Sequence, residues 1–290
     1  MARARGVIGR DAVVEIRGNA AAAELVERDA WLDFFDAAPA EVRNGLGLSS
    51  TRIGGMGLLA SAFVPIVELN RAMAVGVEAT PTSEELEQAI VWLDAHAATG
   101  WALQIPPAAI GAISDRIDRH GLRPSGAAWA KFVQPLPDTK SYLPEGRPHV
   151  ASVKASEAPV FGAIVQSGFG LPDASAAWME ALVGRPGWTC FLATVDEAPA
   201  GAAAMFVSGH AAWSGMAATL RSYRGLGVQS SLIAARLQAA VDQAVTVYTS
   251  ETARPFVDDD AGFSSFRNQR RGGLPELYSR FNFKRATAGE

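Results

Sequence analysis

Cysteine is almost absent: Cys190 is the sole one in 290 residues. An intramolecular disulfide and a cysteine metal cluster are therefore both excluded. Long apolar runs are missing too. The most apolar stretch, Ile53 to Val67, falls short of the ~20 residues that span a bilayer and is broken by Gly and Pro. The first residues are basic, but Val7 to Ile16 is interrupted by charges and lacks the ~7–15-residue apolar core of a secretion signal. These absences lead us to expect a soluble cytoplasmic protein with no membrane partner. Histidine is sparse: His96, His120, His149 and His210 show no H-x-x-H or H-E-x-x-H spacing, so no metal is expected. No G-x-S-x-G elbow occurs, which removes the usual serine-hydrolase nucleophile. Cys190 lies in a strand-like segment and reads as core. Asp258 to Asp260 reads as a solvated acidic run.

Excess positive charge is lacking as well. Lys+Arg is 26 against 30 Asp+Glu, a net charge of −4, which argues against a nucleic-acid partner. What is present is a globular composition, 49% hydrophobic and 19% charged. At ~100–200 residues per domain the chain has room for two domains. The Pro-, Gly- and polar-rich stretch 135–147 reads as the linker between residues 1–134 and 148–290.

In the first half, Ala20 to Phe35 reads as a helix and Val64 to Val77 as strand or strand-turn. The segment from Thr80 is a well-marked helix, because Thr82 and Glu85 have capping-box spacing and Leu86, Ile90 and Leu93 recur at helical intervals. A strand at Trp101–Ile105, a helix at Ala108–His120 and a strand at Trp129–Val133 follow. The second half reads as a strand at His149–Lys154 and two helices near 159–168 and 174–183. Three meander strands come next, at 188–195, 202–207 and 211–220, then a helix from Val228 and a strand at 244–250. One pattern occurs twice: a cationic pair at a helix end, then Gly-Leu, then an extended segment with Pro and an aromatic. Its copies are Arg119-His-Gly-Leu122 and Arg270-Arg-Gly-Gly-Leu274. Chance glycine caps explain such a match, and so does a duplicated fold in which each copy closes its own half.

The segment that carries chemistry is Arg224-Gly-Leu-Gly-Val-Gln229, between a meander strand and a helix. A glycine turn opening a helix offers unpaired backbone N–H groups and the positive end of the helix dipole, which suits a phosphate. Gly225 and Gly227 permit close backbone approach, and Arg221 and Arg224 add charge. No G-K-[ST] follows, and the loop comes after hairpins instead of opening a βαβ unit, so both common nucleotide-binding loops are disfavoured. A plain glycine hinge is the competing reading.

At Arg224-Gly-Leu-Gly-Val-Gln229 the sequence resembles the GNAT superfamily of N-acetyltransferases, whose signature is [QR]-x-x-G-x-[GA]. Gln229 stands in place of the final Gly/Ala. The order of elements over about 148–290 is similar to that family. The resemblance implies an α/β (α+β) fold of two tandem GNAT-like domains, each a mixed, mostly antiparallel sheet flanked by helices. It implies acetyl-CoA as cosubstrate, with the pyrophosphate held by Arg224, Gly225, Leu226, Gly227, Val228, Gln229 and Ser230. The pantetheine would run along Ala217, Ala218 and Thr219, near Ser265 and Asn268. A backbone N–H near Thr219 would polarise the thioester. Glu251 is the candidate general base, or else a solvated strand-end carboxylate. Tyr278 is the candidate acid if Leu277-Tyr to Phe283 matches the family's L-Y-x-x-x-G-F, with Asn282 for Gly. If Arg271-Gly-Gly-Leu274 is that corner instead, Tyr278 lies on the last strand and loses the role.

The first half resembles a degenerate copy. Gly54-Gly-Met-Gly57 lacks the Arg and the helix, so coenzyme A binding is not expected there. Glu68, Asn70 and Arg71 either line an acceptor pocket between the halves or satisfy buried backbone groups. The resulting reading is an acyl-CoA-dependent N-acyltransferase acting on a small-molecule or peptide amine. Alternatives are a silent sensor of the same fold and an aminoacyl-transferase built on a duplicated copy. Monomer and homodimer both stay open.

Overall fold

The computed structural model describes residues 10–136, 148–256 and 262–285, with side chains from Arg17 onward. Most of the expected linker and Asp258–Asp260 lie outside the described residues. The first half contains α1 (Arg10–Asp36), α2 (Ala40–Leu46), β1 (Leu48–Ile53), β2 (Met56–Ser61), β3 (Arg71–Met73), α3 (Ser83–His96), β4 (Ala102–Ile105), α4 (Pro107–Arg119), β5 (Leu122–Pro124) and β6 (Trp129–Pro135). The second contains β7 (His149–Ser152), α5 (Ala158–Phe169), α6 (Ala176–Glu180), β8 (Trp188–Val195), β9 (Ala198–Ser208), β10 (Ala211–Thr219), α7 (Val228–Asp242), β11 (Val247–Ala253), α8 (Ser264–Arg271) and β12 (Glu276–Arg285). Among the described residues no helix is long and apolar enough to cross a membrane.

Each half repeats one plan: an antiparallel meander, then a strand–helix–parallel strand unit, then a helix and a closing strand. The parallel pairs are β3 with β4 across α3 and β10 with β11 across α7. The remaining pairings are antiparallel. The β1–β2 hairpin turning at Gly54-Gly55 departs from the sequence expectation, which placed the first strand at 64–77; most of that stretch is loop and a short 3₁₀ turn before β3. Gly54 has φ +54, the left-handed turn geometry that glycine supplies.

The halves join into one sheet of order β1-β2-β3-β4-β12-β6-β11-β10-β9-β8-β7. This corrects the expectation that each copy of the repeated pattern closes its own half: the closing strands are exchanged. β6 pairs along its whole length with β11, from Trp129↔Ala253 to Pro135↔Val247. β12 pairs with β6 through Glu276–Arg280, then with β4 and β5 through Phe281–Arg285. Side chains follow the exchange. Phe283 of β12 joins the first half's core with Leu86, Leu103 and Ile117. Phe132 of β6 joins the second half's core, its ring 5.6 Å from that of Phe266.

Helix α1 lies across this joined sheet and packs on β1 and β2 of one half and β9, β10 and β11 of the other. Ala23, Val26, Ala30 and Phe34 recur at helical spacing and are buried. The Phe34 ring stacks on Trp178 at 3.9 Å, and the Trp178 indole N–H donates to the Phe34 carbonyl at 2.6 Å. Arg185 and the Trp188 indole both donate to Asp33, at 2.6 and 2.7 Å.

Cys190 sits in this core at 6% exposure, where burial pushes its thiol up to about 12. The thiolate, not the thiol, is the reactive species. Native protein is therefore expected to resist thiol-specific alkylation at pH 8 and to react stoichiometrically once unfolded in urea. Mass spectrometry of the two samples checks this, and rapid native labelling contradicts it.

Candidate functional site

α7 begins at Gly227, whose φ of +84 turns the chain sharply from the loop into the helix. No side chain caps this end and no acid lies in its first turn. The N–H groups of Val228, Gln229 and Ser230 precede the first internal helix bond and have no intrahelical acceptor. The Ser231 N–H is the first to be used, donating to the Gly227 carbonyl at 3.0 Å. A cavity of about 950 Å³ opens over this helix end. Arg224, Gly225, Gly227, Val228, Gln229 and Ser230 line it, as do Ala217, Ala218, Thr219 and Asn268. Arg224 and Arg271 are the charged residues of its lining, so the groove favours an anion. Leu226 is not part of the lining and is half-exposed. Arg221 is not part of the lining. Tyr223 is, though the sequence reading did not single it out.

The corresponding helix of the first half is closed. In α3 the Thr82 hydroxyl accepts from the Glu85 N–H at 3.1 Å, and the Glu85 carboxylate accepts from the Thr82 N–H at 2.7 Å. Glu84 adds a second acid to that first turn. A capping box uses the donors that an anion would need, and its charge repels one.

β10 and β11 diverge beside the open helix end. Their pairing runs from Ala211↔Val247 to Ser214↔Ser250 and stops. β10 bulges between Gly215 and Ala218 against β9, with Met216 at φ +50. A Cβ on Gly215 would lie 2.1 Å from the Trp213 ring, so glycine lets that ring fold over the bulge. The wedge between the strands holds a second cavity of about 440 Å³. Ala217, Gln229, Ile233, Ser264, Ser265 and Asn268 line both cavities, which makes the two continuous. Asn268 is held there by a hydrogen bond from Arg271.

The second cavity is walled by aromatic rings from distant parts of the chain: Trp31 of α1, Trp129 of β6, Trp178 of α6 and Trp213 of β10. Glu68, Arg236 and Glu251 are its charged lining residues. Sequence analysis assigned neither these tryptophans nor Arg236 to a site. A local signal existed for the arginine, since it follows Leu232 by four on the buried stripe of α7.

Glu251 belongs to a buried cluster at the seam of the halves. Its carboxylate accepts from Arg71 Nη1 at 3.2 Å and from Arg280. Arg280 also donates to Glu24 at 2.9 Å and to Glu27 at 2.8 Å, and Lys131 pairs with Glu27. Three acids thus face three cations. Burial pushes the Glu251 carboxyl up to about 7 against the pull of Arg280. Burial works the same way on Glu27, but Arg280, Lys131 and Arg71 outweigh it and hold that carboxyl well below the usual range.

The other expected residues separate. Glu68 lines the second cavity. Asn70 does not: its amide accepts from Ser61 N at 2.9 Å and donates to the Val64 and Ile66 carbonyls at 2.8 and 2.9 Å, which pins the loop. Arg71 lies over the Trp31 ring at 4.5 Å and is bound to Gln104 at 2.8 Å within the charge cluster. Of the two readings left open by the sequence, Asn70 takes the second and satisfies buried backbone groups, and Arg71 supports the wall through the charge cluster without lining either cavity. Tyr278 follows the second of the two alignments weighed for it. It lies on β12, outside the lining of both cavities, and its hydroxyl donates to Glu24 at 2.6 Å. Burial and the Glu24 charge raise it well above the ordinary phenol range. Among the described residues no group of His, Cys, Asp and Glu is arranged to hold a metal ion.

Solved structures with this fold include a GCN5-related N-acetyltransferase from Kribbella flavida, with a TM-score of 0.58, 17% identity and coverage of 91% of this chain and 96% of that one. A tandem GNAT protein from the clavulanic acid biosynthesis pathway, solved without AcCoA, matches with a TM-score of 0.53, 18% identity and 76% coverage of each chain. FemX matches with a TM-score of 0.51 and 9% identity over 83% of this chain and 90% of its own. No protein-family model and no curated protein matches the sequence. The fold is the GNAT fold, present twice.

Proposed function

From a tandem GNAT fold with one open helix end, we propose that this protein is an acyl-CoA-dependent N-acyltransferase. The observation that carries the reading is the continuity of an anion-favouring groove over the α7 N-terminus with an aromatic cavity in the β10–β11 wedge. Residues 148–290 form the catalytic half, and 1–134 supplies cavity wall without a cofactor of its own.

The pyrophosphate of acetyl-CoA sits on the backbone N–H groups of Gly225 to Ser230, neutralised by Arg224 and Arg271. The pantetheine takes the place of the missing ladder partner beside Ala217–Thr219. A backbone N–H of the bulge polarises the thioester carbonyl. Ala217, shared by both cavities, lies closer to the point where donor and acceptor meet than Thr219 does. The acceptor nitrogen attacks the carbonyl carbon, the C–N bond forms and the C–S bond breaks. Glu251 takes the amine proton directly or through water, and the thiolate leaves protonated by solvent.

Calorimetry with acetyl-CoA is expected to give one site per chain at micromolar to low millimolar affinity. Absence of binding at millimolar ligand overturns the proposal. With Glu251 titrating at about 7, it becomes the competent carboxylate as pH rises through that value. Acceptor-dependent kcat/KM is therefore expected to rise from pH 6 to about pH 7.5 and then level. Glu251→Gln should lose that rise and fall ~10²–10⁴-fold. A Gln variant that keeps both rate and pH limb removes Glu251 from the role of base.

A further inference from the structure

The second cavity is rich in hydrogen-bond donors that nothing among the described residues uses. Trp31 and Trp213 line it, are 7% and 3% exposed, and have indole N–H groups with no acceptor. Arg236 lines it at 1% exposure. Its Nε donates to the Leu232 carbonyl at 3.0 Å and its Nη1 to Gly215 at 3.4 Å, while Nη2 has no partner. No carboxylate pairs with Arg236 among the described residues. The seam cluster does not supply one, because its three acids already face three cations of their own. A buried guanidinium without an anion is costly, and each unused buried donor adds its own desolvation penalty. All three residues line the one cavity, so an oxyanion is the partner class that their unused donors have in common.

The remaining lining completes a chemical outline. Gln269 Oε1 and Thr252 Oγ1 are also unpartnered, and Glu251 and Glu68 are acidic, so acceptors for an amine are present. The four tryptophans enclose an apolar body.

We propose that the acyl acceptor is a carboxylate-bearing amine with an aromatic or bulky apolar body, its carboxylate held by Arg236 and the indole N–H groups of Trp31 and Trp213. This rests on the N-acyltransferase reading and assigns its acceptor class. The same carboxylate could instead arrive on the acyl group, so the test separates the two sources.

The full chain is titrated by tryptophan fluorescence, alone and saturated with coenzyme A. The probes are N-acetyl-L-phenylalanine and N-acetylphenethylamine, which differ in the carboxylate. The carboxylate ligand is expected to bind at least about tenfold more tightly, since a site with buried donors rejects an analogue lacking their partner. Arg236→Met should bring the two ligands within about threefold. Trp213→Phe, which keeps a ring and removes the N–H, should weaken the carboxylate ligand alone; it keeps the test intact if the Arg236 variant does not fold. Equal affinities in the parent protein, or a preference that survives both substitutions, overturn the inference. A tenfold preference for succinyl-CoA over acetyl-CoA that disappears in Arg236→Met also overturns it, moving the carboxylate to the donor. Coenzyme A binding without any carboxylate preference rejects this inference and spares the acyltransferase reading. Carboxylate binding in a protein that ignores coenzyme A rejects the reading instead.

Discussion

Gly227→Trp is expected to reduce coenzyme A affinity by at least about 100-fold while leaving the protein folded. Gly227 lies in the groove lining, and the nearest atom to a Cβ built there is Pro148 Cδ at 3.8 Å. A Cβ therefore has room in the free protein, and an indole carried on it is expected to crowd the space where a pyrophosphate would meet the N–H groups of α7. A phosphate bound by backbone donors depends on hydrogen-bond distances of ~3 Å, which a side chain in between forbids. The φ of +84 adds a strain of roughly 1–2 kcal/mol for any non-glycine residue. Gly100 supplies the control, with φ +90 and nothing within 4 Å of its Cβ. Gly100→Ala should carry a similar strain with unchanged affinity. Calorimetry and thermal melts on both variants check this. Unchanged binding by Gly227→Trp would place the cofactor elsewhere.

Arg280→Ala is expected to produce the largest loss of stability, about 3–5 kcal/mol near neutral pH. Arg280 is fully buried on the exchanged strand β12 and donates to Glu24, Glu27 and Glu251. Without it, three buried acids face only Arg71 and Lys131. The folded state must then leave a carboxylate unpaired or protonate it, so the carboxyl groups titrate higher in the folded chain than in the unfolded one. A raised carboxyl makes the folded state the tighter proton binder, and its cost grows as pH rises from about 4.5 through the folded value. The deficit should accordingly be smaller at pH 5 than at pH 8. The parent protein already carries a shallower limb of this sign through Glu251, raised to about 7, and the opposite limb, below about 4.5, through Glu27. Its lowered value contributes stability above about 4.5 that is lost as pH falls through the folded value. Urea melts of both proteins between pH 5 and pH 8 read the difference. A variant within about 1 kcal/mol of the parent at every pH would show the cluster to be dispensable.

The two effects separate the roles of the halves. Gly227 lies in the open groove lining and outside the packed core, whereas Arg280 bears on the seam that holds α1, β6, β11 and β12 together. That seam also sets the shape of the acceptor cavity, because Trp31, Trp129 and Glu251 lie on its elements. Loss of Arg280 should thus weaken acceptor binding more than coenzyme A binding in whatever fraction remains folded.

Much of this was legible in local sequence. The capping box at Thr82 and Glu85 and the Arg-Gly-Leu-Gly turn act through neighbours within a few positions. Their consequences, a closed helix end in one half and an open one in the other, followed from residue chemistry alone. The exchange of β6 and β12, the neutral charge cluster and the aromatic cavity were not legible. A strand's hydrophobic pattern says that it is buried, not which edge it pairs with, and Phe132 and Phe283 satisfy either half's core equally in composition. Glu27 on a helix and Arg280 on a strand each look like a solvated charge until 253 residues of chain bring them to 2.8 Å. Local chemistry determined which helix end is left without a side-chain cap. Only the tertiary structure decided what faces it, because burial and pairing of charge exist once the partners have met and not before.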